Sequence, residues 1–276
     1  MILQETYKIF TRPYAKIVLL VMAVLMLIFS AAFAFEGQEY YDSLLNTFGK
    51  GVSFEGKLLN GNLFAFQLFH ALWLLVALMV VFVTGGMISE EKSAGTLRMV
   101  LSRKISKTGF FTARFAAAKV FAFIVVVFMA AISLGFGLAV FGSGELLAFD
   151  NGKFTVLTAN QALLSFALAY VFYFLMLLTV ISISMFFSVL FNSSIKAILV
   201  TVSVIVVFYF ISTLELPLFD GVKPFLFTSY FSSWAQFFTT PVNWMKLTFD
   251  AIVLLVHILV FYTASVMIFG KQEVLD

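Results

Sequence analysis

Two histidines, two serines and one glycine-bearing octapeptide are the places where this chain has the residue types for chemistry. His70 and His257 fall inside long apolar runs. An ionisable group in such a run is costly, and by default it marks a path for a solute or a proton. Ser182 and Ser184 share a third run, where small hydroxyls serve helix contact or line a path. These four are the candidates for a transport path. The stretch Gly51-Val52-Ser53-Phe54-Glu55-Gly56-Lys57-Leu58 has the glycine and lysine spacing of a phosphate-binding loop. Leu58 stands where a Ser or Thr would hold Mg²⁺, and no strand precedes the stretch, so it is not read as a nucleotide site. The chain has no Cys, which excludes disulfides, thiolate metal sites and a Cys nucleophile. Two histidines without intramembrane acids do not make a metal site. No G-x-S-x-G, H-E-x-x-H or paired-carboxylate pattern occurs. The chain is therefore expected to be no enzyme, with no catalytic residue, metal or cofactor of its own and no nucleic-acid partner.

The elements that would position these residues are set by composition. Of 276 residues, 62% are hydrophobic and 11% charged, against about 45–50% and about 25% in soluble domains. Mean hydropathy is +1.07. So few charges cannot cover a soluble surface, and the lipid bilayer is the expected surrounding. A helix of about 20 apolar residues crosses a bilayer. Such runs predict six spans, at about 17–35, 63–88, 120–141, 164–190, 197–214 and 248–269. The expected fold is an all-α integral membrane protein. With six spans both termini share one side. Twelve Lys and Arg fall on that side and five on the other, which places both termini in the cytoplasm and the chain in the cytoplasmic (inner) membrane. Ala32-Phe33-Ala34 resembles a signal-peptide cleavage site, but the preceding apolar run is too long for one, so the first span is expected to stay uncleaved.

Residues 1–16 predict an amphipathic interface helix, with Leu3, Thr6, Tyr7 and Phe10 on its apolar face, ending near Pro13. The external segment 215–246 has Pro217, Pro224, Pro241 and nine aromatics. That predicts short broken helices dipping back toward the outer leaflet, with their irregular backbone buried in protein. Residues 142–160 form a short Gly-rich loop, and Asp250 is expected to pair with Lys246 four residues earlier. The most informative stretch is 89–119, a cytoplasmic segment with seven bases and two acids. Ala94, Leu97, Leu101 and Ile105 recur every three or four residues, an apolar stripe on a helix from about Ser93 to Ile105. Arg98 edges that stripe and Arg103 lies opposite it. A stripe beside the membrane must be covered by lipid or by a partner.

This stretch resembles the loop after the second span in type 2 permeases of ATP-binding-cassette exporters. The matching residues are Glu90, Glu91 and Lys92, then Gly95-Thr96-Leu97, then Met99-Val100-Leu101-Ser102 with Arg103 and Lys104, and Lys119 further on. The six spans, the amphipathic N-terminus, the short turn at 192–196 and the external aromatic segment fit the same plan. It most resembles the compact subgroup that includes the nitrous oxide reductase maturation permease. Relatives often carry Pro shortly after Leu-Ser; Lys104 stands near that point, so the helix is expected to run further here. The resemblance implies a permease subunit that works as a dimer with a second copy or paralogue. It also implies separate ATPase subunits that supply the ATP and Mg. Glu90, Glu91, Ala94, Gly95, Thr96, Leu97, Arg98, Leu101 and Ile105 would then form a coupling helix docked on the ATPase. The alternatives are a secondary transporter or channel, or a non-transporting membrane immunity or sensor protein. The interiors of the expected spans contain no Asp, Glu, Lys or Arg, which weighs against ion coupling.

Overall fold

In the hydrocarbon layer a long apolar run satisfies its own backbone groups only as a helix, and 84% of the described residues are helical. A computed structural model describes residues 2–48, 59–97, 106–150 and 153–272. The phosphate-loop-like stretch 51–58 lies outside them. Six helical stretches are long and apolar enough to cross a membrane: Pro13–Gly37, Gly61–Ser93, Lys107–Phe141, Ala159–Leu190, Ser194–Thr213 and Trp244–Lys271. The chain is a multi-pass membrane protein.

Helix α1 (Ile2–Thr11) is followed after one bent residue by α2 (Pro13–Phe48). Proline suits the first position of a helix, where its missing N–H has no partner to lose. The expected interface helix over 1–16 therefore stops at Thr11, and its last residues open the first span. Leu3 and Tyr7 point away from the bundle, 85% and 73% exposed, while Ile9 is buried.

Helix α3 (Gly61–Thr84) opens on Asn60, whose side chain accepts the Leu63 N–H. It ends four residues short of the expected span. The chain turns over 85–88 and re-enters a helix as α4 (Ser89–Ser93). Helix α5 (Lys107–Ala130) continues through a π-helix (Ala131–Phe136) into α6 (Gly137–Phe141). Residues 107–119, expected as cytoplasmic loop, are thus the first turns of the third span, and that span carries Lys107, Arg114 and Lys119. A second departure follows. In place of a plain loop, β1 (Leu146–Asp150) and β2 (Lys153–Leu157) pair antiparallel with Leu146 opposite Leu157. The fold is nearly all-α, with one hairpin.

Helix α7 (Ala159–Leu190) starts at a capping box between Thr158 and Gln161. Helices α8 (Ser194–Thr213) and α9 (Trp244–Lys271) complete the set. Two thirds of the most apolar stretch of α3 and of α7 is buried, against 17% for α8 and α9. So α3 and α7 form the centre and α8 and α9 the edge.

The segment before α9 is three 3₁₀ helices, Pro217–Phe219, Lys223–Phe225 and Phe227–Phe238. A 3₁₀ helix of twelve residues is long, because its hydrogen bonds are poorly aligned. Packing offsets this, since nine of the twelve residues are buried. Trp234 lies on Phe69 with ring centres 4.2 Å apart, and Phe238 meets Phe166 at 4.8 Å. The expected Asp250–Lys246 pair does not close into an ion pair, although the Lys246 charge still acts on the Asp250 carboxylate. Asp250 is buried and accepts the Ser233 hydroxyl at 2.6 Å, pinning the 3₁₀ helix to α9, while Lys246 is exposed.

Candidate functional site

The bundle end that carries both termini holds most of the charge on the described spanning helices. Three elements meet there. Ile9 and Phe10 seat α1 on α5, with the Phe10 ring 5.8 Å from that of Phe121. This turns Glu5, Lys8 and Arg12 toward α4. Lys8 donates to Glu91 at 2.9 Å and Arg12 to Glu90 at 2.7 Å. Arg114, on α5, is 1% exposed. Its guanidinium donates to the Met87 carbonyl and the Glu91 carboxylate, its Nε lies 3.2 Å from Glu5, and its plane sits 4.5 Å over the Phe110 ring. Only arginine offers a flat fork that can meet two carboxylates, a carbonyl and a ring at once. Glu5, Lys8, Ile9, Arg12, Val83, Met87 and Arg114 line the small crevice between these elements.

The cluster holds three acids and three bases, so it has no net charge to attract an ion. Its chemistry is mechanical. Buried ions are held only by their partners, and removing one partner costs about 3–5 kcal/mol. The cluster therefore joins α1, α4 and α5 into one body. Other contacts join it to the rest of that end. Ser188 of α7 accepts the N–H groups of Ile88 and Ser89 at 3.0 and 3.1 Å, capping α4. Lys92 donates to the Val189 carbonyl, and Lys107 donates to the Gln272 carbonyl at 2.6 Å.

The expected coupling residues divide sharply. Glu90 and Glu91 face α1 and α5 and are used inside the chain. Helix α4 stops at Ala94, and Gly95 has φ +67°, the left-handed conformation that closes helices. A single helix from Ser93 to Ile105 is thus broken at its start; Thr96 and Leu97 are helical beyond the break. Ala94 and Gly95 are exposed at the tip. Leu97 is 5% exposed and packs into the chain's own core, so it needs no outside cover. Arg98, Leu101 and Ile105 lie outside the described residues.

The four transport-path candidates also separate. Ser184 shares a hydrogen bond with Thr84 at 2.9 Å, and Ser182 donates to its own helix at Leu178. His257 is held between the Val253 and Phe225 carbonyls at 2.8 and 3.3 Å. His70 is exposed on α3, its ring 5.7 Å from that of Trp234. Among the described residues no three metal-ligating side chains cluster.

A family described as "Protein of unknown function (DUF2705)" matches residues 20–275. The chain belongs to the DUF2705 family. No curated protein matches it. The match starts beyond α1, so in this DUF2705 protein the Glu5, Lys8 and Arg12 side of the cluster lies outside the matched region, while Glu90, Glu91 and Arg114 lie within it.

Sequence reasoning missed Arg114 by counting it as a loop base. The signal was present. Phe110, Phe111, Phe115, Ala118 and Phe121 recur at helical spacing through that position.

Proposed function

We propose that this DUF2705 protein is the membrane subunit of an ATP-driven exporter of the type 2 permease kind. It works with separate ATPase subunits and a second permease copy, in the cytoplasmic membrane with both termini inside. One observation supports the reading most. The run from Glu90 to Leu97, which carries the resemblance, is tied by ion pairs to α1 and α5 and turns at exposed Ala94 and Gly95. A push on that turn by a closing ATPase would reach the first and third spans together, through α1 and through Arg114. An ATPase that binds the two arrangements unequally would shift their balance. His70, exposed between apolar neighbours, is the remaining candidate for a wall of the solute path.

The contact is tested at Ala94, because the exposed turn can be changed without touching the core. A photo-crosslinking residue at Ala94 should capture an ATP-binding subunit in native membranes, and Ala94→Asp should lose that capture while leaving assembly intact. Capture of no ATP-binding subunit at Ala94, with none co-purifying with the unmodified chain from native membranes, would rule the reading out. Orientation is tested in the same chain, which has no native Cys. A cysteine at exposed Ser143 should react with an impermeant reagent in intact cells, and one at Ser106 should not. The reverse pattern would invert the topology.

A further inference from the structure

The third span is anchored at both ends to different bodies, and it is not α-helical just before its outer anchor. At its inner end Lys107 holds the end of α9, and Arg114 binds α1 and α4. At its outer end Gly137 of α6 touches Gly61 of α3 backbone to backbone; a Cβ on Gly61 would lie 2.5 Å from the Gly137 carbonyl oxygen. The same end is stitched by the Gly61 N–H to the Gly142 carbonyl at 2.8 Å. The side-chain amides of Asn60 and Asn62 add two more bonds, to the Glu145 and Gly144 carbonyls at 2.7 Å each. Between the anchors lies the π-helix Ala131–Phe136.

A π-segment holds one residue more than the α-helix it interrupts, and such segments recur at functional sites. Taking up or releasing the extra residue in the wide turn rotates one flank of the helix against the other by about 100° and shifts it by about 1.5 Å, the step of an α-helix. Here little opposes that movement on one side. Gly135 is exposed, and an added Cβ would have nothing within 4 Å. On the other side one polar contact marks the register. The buried Ser133 hydroxyl shares a hydrogen bond with the Tyr170 hydroxyl of α7, whose ring lies 4.8 Å from that of Phe69.

We infer that this π-segment is the hinge of the third span. The inner half, carrying Arg114 and the charge cluster, takes up two registers against a fixed outer half, and the Ser133–Tyr170 bond selects between them. The inference concerns the helix itself and stands apart from the exporter reading, because it needs no ATPase.

The test uses the full-length chain in lipid nanodiscs with spin labels on introduced cysteine pairs. Lys119 with Leu190 reports on the inner half, and Val140 with Leu164 on the outer half; all four positions are exposed. The inner pair should show two distances and the outer pair one. Deleting Gly135 removes the extra residue and returns the helix to α without turning either half, so it should leave one inner distance. Deleting Val127, within the α-helical part, should instead turn the inner half and disperse the sample. Ser133→Ala should change the ratio of the two inner distances about fivefold, the weight of one typical hydrogen bond. A single inner distance that neither change alters, or inner and outer pairs that shift together, would overturn the hinge. If the Gly135 deletion does not assemble, Ser133→Ala decides alone: a shift confined to the inner pair supports the hinge, and no shift refutes it.

Discussion

Arg114→Leu should release α1 from the bundle and lower stability by about 3–5 kcal/mol, the cost of leaving buried charges without their partner. The guanidinium is buried among Glu5, Glu91 and the Met87 carbonyl. Leucine would fill the space and leave both carboxylates underpaired, with Lys8 alone shared between Glu91 at 2.9 Å and Glu5 at 3.7 Å. Arg114→Lys should recover little, because an ammonium is a point charge and cannot span the three acceptors. Glu91→Gln added to Arg114→Leu should recover part of the loss by removing one of the orphaned charges. Thermal unfolding of the purified protein, read with the fraction that stays monodisperse, measures all three. Full stability in Arg114→Leu would show that the cluster does not hold this end together.

The second large effect is expected at the other end. Gly61→Val would drive a branched side chain into the Gly137 backbone, where even a Cβ meets the carbonyl oxygen at 2.5 Å and the carbonyl carbon at 2.6 Å. Backbone cannot swing aside as a side chain can. Helices α3 and α6 would have to part, with loss of the Gly61–Gly142 hydrogen bond. Overpacking typically costs about 1–3 kcal/mol, occasionally more, and this contact belongs at the upper end. Gly270→Ala, on the exposed part of α9, forms the control. Its Cβ would meet nothing within 4 Å. A Gly61→Val protein as stable as the Gly270→Ala protein would mean that the two backbones are not in contact.

The spans were legible because apolar length is a one-dimensional property. The charge cluster was not, because it joins residues 78 and 83 positions apart, and sequence spacing carries no sign of that. The same fact explains what the pattern of α1 left out. Leu3, Thr6, Tyr7 and Phe10 fall at helical spacing on one face, but nothing in that spacing shows that Glu5, Lys8 and Arg12 would find Arg114, Glu91 and Glu90. The hairpin was legible and overlooked. Asn151-Gly152 stands between two five-residue runs rich in apolar residues, which is the strongest short-range hairpin signal. The buried 3₁₀ segment was half legible. Its aromatics announced burial, while the Ser233–Asp250 bond that fixes it could not be foreseen from a carboxylate lying four residues from a lysine.

The charge cluster also has a history. Lys8 and Arg12 leave the ribosome first, and their carboxylate partners follow 83 and 78 residues later. At about 5–20 residues per second that leaves these two bases without Glu90 and Glu91 for roughly 4–16 seconds. In the proposed orientation they stand in that interval beside an anionic leaflet, able to hold the first span in place. When the second span arrives they exchange lipid phosphates for protein carboxylates. The same two side chains thus serve first as an address and later as a fastening. Reversing the charge of Lys8 or Arg12 should therefore damage insertion before it damages the finished fold.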